Sequence, residues 1–173
     1  GVKPHGLRIE NSLLLTPMFN TDGEIASLQT VSPTGSKLFA KGGRVKGCFL
    51  PIGAPEDTLI LCEGYATGAS IYEATGEPVA VCFNSGNLLE VAKELSAKYP
   101  SARIIIAGDD DHKLDKNIGR VKAVEAAKHI GGTTVFPVFD ISYDGDCTDF
   151  NDLHRLCGLE EVKKQIYKAI HDS

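Results

Sequence analysis

From residue 58 onward, short apolar runs alternate with segments in which apolar residues recur every three or four positions. A short apolar run between turn residues predicts a buried strand, and the three-to-four spacing predicts one face of a helix. The predicted strands are residues 58–62, 78–83, 103–107 and 133–138, and the predicted helices cover 67–74, 88–95, 121–130 and 159–169. Strands that alternate with helices form crossover units. The pattern therefore predicts an α/β fold with a small, largely parallel sheet flanked by helices.

The first 57 residues have a different pattern. Residues 13–18, 24–31 and 37–39 are strand-like, and turn signals separate them at Asp22-Gly23 and at residues 33–35. This predicts a small antiparallel β subdomain that packs beside the α/β part, with residues 51–55 as the connector. The predicted organisation is a small β-rich N-terminal subdomain at 1–57 and an α/β domain at 58–173.

The composition is that of a folded domain, with 42% hydrophobic and 24% charged residues in a chain of 173. Its apolar runs are far shorter than the ~20 residues that a membrane-spanning helix needs. Five cysteines without a CxxC pair argue against a disulfide framework and predict a reduced, cytoplasmic protein. The chain opens without Met or an apolar signal core, and we expect it to be a piece of a longer protein.

The aspartates are unevenly distributed along the chain. Of twelve, four lie within residues 109–115 and five within 140–152, and the second window holds no Lys or Arg. Ligands of parallel sheets collect at the carboxyl ends of the strands. Three of the four predicted strands lead there to carboxylates, namely Glu63, the run that starts at Asp109, and the 140–152 window. We therefore expect several carboxylates to converge at one edge of the sheet.

Converging carboxylates repel one another unless a cation lies between them. Oxygen ligands without a nearby His or Cys set indicate Mg²⁺ or Mn²⁺, and a magnesium ion held in this way keeps positions open for phosphate oxygens. Asp109 and Asp111 are expected to project toward one site and Asp110 to point away from it. The alternative is a helix N-cap with solvated neighbours, because Asp is favoured at that position.

Three local sequences carry a resemblance. They are Glu63-Gly64-Tyr65-Ala66-Thr67-Gly68, Asn84-Ser85-Gly86-Asn87-Leu88 and Asp149-Phe150-Asn151-Asp152-Leu153. Together with Asp109-x-Asp111, they resemble the Toprim domain of primases and primase-helicases of phages, plasmids and integrated elements. The N-terminal stretch, with Leu15-Thr16-Pro17-Met18, Ser27-Leu28-Gln29 and Lys41-Gly42-Gly43-Arg44, resembles the small β-rich subdomain that precedes Toprim in those proteins.

The resemblance implies a function and assigns residues to it. It implies that residues 58–173 are the Toprim catalytic domain of a DNA primase, which synthesises RNA primers on single-stranded DNA by nucleotidyl transfer. Glu63 corresponds to the family's general acid/base or metal ligand, and Asp109 and Asp111 to its Mg²⁺-binding pair. Some members have a further acidic pair that helps to hold the metal, and Asp149 or Asp152 corresponds to it, with Asp146 a weaker candidate. The implied partners are a single-stranded DNA template, ribonucleoside triphosphates and a helicase domain in the parent chain. A zinc-binding module, typical of such proteins, is not seen in this chain.

Basic residues form a separate group in the N-terminal part. Lys37, Lys41, Arg44 and Lys46 lie in a stretch without acidic residues, and two glycines there permit close backbone approach. In a primase this group would contact the template backbone or nucleoside triphosphates. The alternative is a solvated hairpin edge protected by lysine. Lys113 and Lys116, beside the aspartates, either steer phosphates or balance charge.

Other interpretations stay open at this point. A Toprim nuclease or topoisomerase would use the same carboxylates on an existing phosphodiester, and a nucleic-acid-binding module would use none of them. A receiver-type signalling domain also clusters aspartates, but the acidic pair and the lysine it requires are not found. Cys147, His154 and Cys157 are a weak zinc candidate because the spacing is unusual.

Overall fold

The fold consists of two sheets with five helices around the second, as seen in a computed structural model that describes residues 1–111, 113, 116–140 and 147–172. The strands are β1 Arg8–Glu10, β2 Leu13–Phe19, β3 Ile25–Val31, β4 Lys37–Phe39, β5 Leu50–Ile52, β6 Thr58–Cys62, β7 Val79–Val81, β8 Arg103–Ala107 and β9 Thr133–Val135. The helices are α1 Tyr65–Thr75, α2 Ser85–Lys98, α3 Ile118–Ile130, α4 Phe150–Cys157 and α5 Leu159–His171. No helix in the described part is long and apolar enough to cross a membrane.

The N-terminal sheet is an antiparallel meander in the order β1-β2-β3-β4. The turn between β2 and β3 forms at the predicted Asp22-Gly23 signal. Asn20 Oδ1 accepts hydrogen bonds from the backbone N–H groups of Asp22 and Glu24, and Gly23 takes a positive φ of 84°. On the buried face, Met18 lies opposite Ser27 across the β2–β3 pair. The predicted antiparallel subdomain is present, with β1 as a strand that the hydrophobic pattern does not show.

The central sheet has the order β5-β7-β6-β8-β9. β7, β6, β8 and β9 are parallel, and β5 pairs antiparallel with β7 at one edge. Every residue of β6 is buried, since helices cover both faces of the sheet. The helices α1, α4 and α5 pack together, and α2 packs with α3 in a second cluster with its own buried core. This confirms the α/β class and the small parallel sheet flanked by helices.

Two details differ from the sequence prediction. Residues 50–52, which lie inside the predicted N-terminal range and overlap the predicted connector, form an edge strand of the central sheet. α4 was not predicted, because its eight residues were interpreted only as an acidic motif. The boundary at residue 57 itself stays a prediction.

Close packing explains the second glycine of the Glu63–Gly68 segment. Gly68 lies in α1 directly over the central sheet, and a Cβ there would come within 2.7 Å of Val81 Cγ2 and 3.0 Å of Cys62 Sγ. α1 therefore lies close to β6 and β7, and its N-terminus begins immediately after Glu63.

Candidate active site at the carboxyl edge of the central sheet

Two neighbouring strands deliver the first carboxylates. β6 and β8 pair in parallel with Cys62 opposite Ala107, so Glu63 and Asp109 emerge at the same edge of the sheet. The first turn of α3 lies against both of them. A Cβ on Gly119 would be 3.0 Å from Glu63 Oε1 and 3.1 Å from the backbone oxygen of Asp109. Glu63 and Asp109 therefore both lie against the backbone of α3 at Gly119.

The carboxylates influence one another strongly. Burial, followed by the charge of Asp111, raises the pKa of Glu63 to about 7, while the backbone N–H of Ser85 opposes the rise. Burial, followed by Glu63, Asp149 and Asp111, raises the pKa of Asp109 to about 8. We call these four residues, Glu63, Asp109, Asp111 and Asp149, the acidic edge. Neighbouring negative charge thus disfavours the ionisation of Glu63 and of Asp109.

Two oxygens of the acidic edge are left without a partner. Among the described residues, neither Glu63 Oε1 nor Asp109 Oδ1 has a hydrogen-bond partner, although both atoms are buried. A buried carboxylate oxygen without a donor is costly, and a cation removes that cost. The donor set therefore fits a hard divalent ion such as Mg²⁺ or Mn²⁺.

The acidic edge is not a complete protein cage for a metal. Within the described part of the chain, no three His, Cys, Asp or Glu side chains converge closely enough to hold an ion by themselves. Mg²⁺ commonly binds through one or two carboxylates and completes its shell with water and substrate phosphates. The geometry thus fits a metal that is bound together with a phosphorylated substrate.

Asp149 and Asp152 both organise the start of α4. Asp149 is the N-cap, and its Oδ1 accepts from the backbone N–H of Asp152 at 2.8 Å. Its Oδ2 accepts from the Thr67 hydroxyl at 2.8 Å. Asp152 Oδ2 accepts from the backbone N–H of Thr148 at 3.0 Å, and its other oxygen lies 3.8 Å from Arg155. The structure brings Asp149 to the acidic edge, whereas the contacts of Asp152 lie within α4 and with the residue just before its N-cap. Asp146 lies outside the described residues.

The side chain of Asp110 turns toward α3. Its carboxylate accepts from Asn117 Nδ2 at 2.6 Å and lies 3.2 Å from Arg120. Asn117 also caps α3 and accepts from the backbone N–H of Asp111 at 3.2 Å. Asn117 therefore fixes the loop that carries Asp111 relative to α3. Sequence reasoning did not single out Asn117, Gly119 or Thr67, although Thr67 lies inside the Glu63–Gly68 segment.

The basic residues of the N-terminal part do not all lie at the acidic edge. Lys37, on β4, is close enough to Asp109 to oppose the rise of its pKa. Lys46 makes an ion pair with Glu90 of α2 at 3.3 Å, and Arg44 Nε donates to Cys48 Sγ at 3.4 Å. Lys41 is exposed on the same loop. Of this group, the structure thus brings Lys37 to the acidic edge.

The glycines of this loop serve its own folding. Gly42 has a positive φ of 81°, and Gly43 lies against the Ser27 side chain with no room for a Cβ. The loop is thereby held against β3. Lys113 and Lys116 are exposed in the segment that links β8 to α3.

The second asparagine of the Asn84–Leu88 segment has a role that the sequence did not indicate. Asn84, not Asn87, is the N-cap of α2, and its side chain accepts from the backbone N–H of Asn87. The buried Asn87 side chain donates to the carbonyls of Cys48 and Cys82 and accepts from the N–H of Gly47. Asn87 does not cap the helix, and its amide instead joins the loop before β5 to the end of β7.

Comparison with known proteins gives the family. The sequence profile of the Toprim domain matches residues 58–160, which is more than half of the chain. The chain belongs to the Toprim family. The resemblance to Toprim domains of phage and plasmid primases is confirmed by two proteins from Escherichia coli, both named DNA primase TraC. They are 43% and 42% identical over 132 residues, which cover 71% of this chain. The chain spans only 9% and 12% of the length of these relatives.

Solved structures show the same Toprim fold. The primase fragment of the bacteriophage T7 primase-helicase protein has a TM-score of 0.68 at 16% identity, with 94% of this chain and 67% of that chain covered. The DnaG primase catalytic domain bound to single-stranded DNA has a TM-score of 0.59 at 14% identity, with coverages of 94% and 56%. The match over nearly the whole chain includes the N-terminal sheet as well as the Toprim domain.

Proposed function

We propose that this chain is the catalytic core of a DNA primase, which joins ribonucleotides into short RNA on a single-stranded DNA template. The observation that carries the proposal is the pair of buried, partnerless oxygens on Glu63 and Asp109 beside Lys37. Such a site suits a divalent metal and a phosphate chain together. The names of the two Escherichia coli relatives and the primase fold support the same function.

In the proposed reaction, the 3′-hydroxyl of the growing RNA attacks the α-phosphorus of a ribonucleoside triphosphate. A new P–O bond forms, the bond to the β-phosphate breaks, and pyrophosphate leaves. Asp109 and Asp111 would hold Mg²⁺ or Mn²⁺, which when bound supplies charge for the phosphate oxygens. Asp149 would orient the same edge through its bonds to Thr67 and α4. Asp152 would act on the site only through that helix.

Glu63 has two roles open to it within this proposal. Its partnerless Oε1 is placed either to accept the proton of the attacking hydroxyl or to complete the metal site. Lys37, close to Asp109, would neutralise charge on the phosphates. The other basic residues, Lys41, Arg44, Lys46, Lys113 and Lys116, would attract the template backbone. The expected partners are the template, ribonucleoside triphosphates and a helicase domain of the parent protein.

A cytoplasmic location also belongs to the proposal. All five cysteines are unpaired in the structure, and Cys48, Cys62 and Cys82 are buried. Unpaired thiols are typical of proteins from reducing compartments.

The test uses the full-length protein that carries this sequence, in wild-type form, as Glu63→Gln, and as the control Glu10→Gln on the exposed strand β1. Each is incubated with Mg²⁺ or Mn²⁺, labelled ribonucleotides and end-labelled single-stranded DNA, and the products are separated on a denaturing gel. We expect new short RNA from wild type and from Glu10→Gln, and none from Glu63→Gln.

Two other results would overturn the proposal in different ways. Cleaved DNA without new RNA would move the function to a Toprim nuclease or topoisomerase, which uses the same carboxylates. RNA synthesis that persists in Glu63→Gln would show that the catalytic site lies elsewhere.

A further inference from the structure

Two aromatic rings, those of Phe39 and Phe83, contact each other near the acidic edge. Phe39, the last residue of β4, and Phe83, just after β7, contact edge to face with ring centroids 6.3 Å apart and planes at 75°. Phe39 remains 40% exposed. An exposed phenylalanine is unremarkable alone, but this one is held by a second ring.

The chain register places this pair next to the carboxylates. Val81 lies opposite Cys62 in the β6–β7 pair, so Phe83 lies two residues past β7 while Glu63 lies one residue past β6. The backbone N–H of Ser85, two residues after Phe83, bonds to the Glu63 carboxylate. Phe83 and Glu63 are therefore parts of the same loop cluster.

Lys37 and Phe39 share one face of β4, because side chains two residues apart in a strand point the same way. Lys37 is near Asp109 and Phe39 touches Phe83, so this face of β4 looks onto the acidic edge. The two residues are about 6.7 Å apart along the strand.

Phe83 holds an uncommon backbone conformation. Its φ is +72°, in the left-handed region that bulky residues rarely adopt. Such conformations persist where the surroundings hold them and often mark a ligand site. Here the conformation sets the ring of Phe83 against Phe39.

We propose that Phe39, supported by Phe83, is a stacking platform for a nucleobase whose phosphates lie between Lys37 and the acidic edge. This inference rests on the proposed function, since it assumes that a nucleotide binds there. Aromatic rings stack on any base and so bind nucleotides without sequence preference. The base belongs either to an incoming ribonucleoside triphosphate or to the template strand, and the two sources are separable by experiment.

The chain contains no tryptophan, which permits a direct reporter. Phe39→Trp puts a single indole on the platform, and Leu38→Trp puts one on the opposite face of the same strand, where Leu38 is 66% exposed. Fluorescence is titrated with ATP, with a short single-stranded DNA and with inorganic tripolyphosphate, each in the presence of Mg²⁺. Tripolyphosphate carries the phosphate charge but no base.

We expect quenching of the Phe39→Trp signal by ATP or by DNA, with little change for tripolyphosphate or for Leu38→Trp. Quenching by ATP identifies the incoming nucleotide as the occupant, and quenching by DNA identifies the template. A second measurement compares ATP and DNA affinity of Phe39→Ala, Phe39→Tyr and Leu38→Ala with wild type. Loss of stacking should weaken binding about 5-fold to 100-fold in Phe39→Ala, with recovery in Phe39→Tyr.

The outcomes separate this inference from the function itself. Binding of ATP or DNA to wild type that leaves the Phe39→Trp signal unchanged, or equal affinity in Phe39→Ala, overturns the platform while the primase proposal stands. Equal quenching by tripolyphosphate also overturns it. Failure of wild type to bind either nucleotide ligand, together with no RNA synthesis by the full-length protein, overturns both.

Discussion

The hydroxyl of Thr67 donates a 2.8 Å hydrogen bond to Oδ2 of Asp149, and thereby joins α1 to α4 at the acidic edge. Thr67 is 1% exposed, and the second oxygen of Asp149 is engaged in capping α4. Two helices far apart in sequence are thus held in register by one carboxylate. The position of Asp149 beside Asp109 depends on this bond as much as on the backbone.

Thr67→Val removes the donor while keeping the shape of the side chain. Because the donor is buried and the acceptor is a half-buried carboxylate, we expect a loss of about 1–3 kcal/mol in the free energy of unfolding, measured by urea denaturation. Thr30→Val on β3 is the control, since the Thr30 hydroxyl makes a long 3.4 Å bond in an exposed setting. Equal stability of Thr67→Val and wild type would show that the bond does not hold α4.

Gly119→Ala tests the close approach of α3. In an ordinary helix this change stabilises by about 0.8–1 kcal/mol. Here the added Cβ would stand 3.0 Å from Glu63 Oε1 and 3.1 Å from the backbone oxygen of Asp109, so these residues must shift. We expect a lower melting temperature and weaker Mg²⁺ affinity by isothermal titration calorimetry. A higher melting temperature with unchanged affinity would contradict the geometry.

The raised pKa values give the metal-free protein a defined pH dependence. Glu63 and Asp109 keep their protons in the folded chain up to about pH 7 and pH 8, whereas the unfolded chain loses them near pH 4–5. Between these pH values the folded state binds more protons than the unfolded state. The contribution of Glu63 and Asp109 to the free energy of unfolding is therefore fully present below about pH 4 and falls as the pH rises to about 8.

This dependence is measurable by urea unfolding in EDTA between pH 5 and pH 8. We expect the decline to be reduced in Glu63→Gln and in Asp109→Asn, because neither amide titrates. Added Mg²⁺ should stabilise wild type more at pH 8 than at pH 5, since it binds the ionised carboxylates. A stability that rises with pH in wild type and in both variants would exclude this account.

Asn87→Ala should destabilise the chain by about 2–4 kcal/mol, because it leaves two carbonyls and one N–H without their buried partner. Limited proteolysis should then cut the loop around residues 41–47 faster than in wild type. Asn20→Ala, in the exposed β2–β3 turn, is the comparison. An unchanged cleavage rate at this loop would mean that other contacts hold it.

Two lysines of the basic group, Lys37 and Lys46, should differ in effect. Lys37→Ala removes the cation near Asp109, so we expect a further rise in the pKa of Asp109 and at least a 10-fold loss of primer synthesis by the full-length protein. Lys46→Ala removes a cation that is paired with Glu90 and should cost less than 3-fold. A larger effect at Lys46 than at Lys37 would argue that phosphates pass over α2 instead.

The sequence was sufficient for the parallel sheet and for the edge at which Glu63, Asp109 and Asp111 meet. The hydrophobic pattern predicts buried parallel strands, and the carboxyl ends of such strands lie at one edge of the sheet. The assignment of those residues to metal binding and catalysis stays a prediction, because the geometry supports it without testing it.

The remaining details depend on contacts that no pattern encodes. In the sequence, Asp149 and Asp152 fit an acidic pair and a helix cap equally well. Only their hydrogen bonds in the structure distinguish these two roles. In Asn84-Ser85-Gly86-Asn87 either asparagine suits a cap, and the choice depends on the distant carbonyl of Cys48. β5 is three residues long and contains proline, so its pairing with β7 has no signal of its own.

That pairing has a consequence for anyone who expresses the Toprim segment alone. A fragment cut at residue 58 lacks β5, and the backbone of the apolar strand Val79–Val81 then becomes an open sheet edge. Open apolar edges recruit strands from other molecules. Such a fragment is expected to aggregate, whereas one that begins before Cys48 carries its own edge protection.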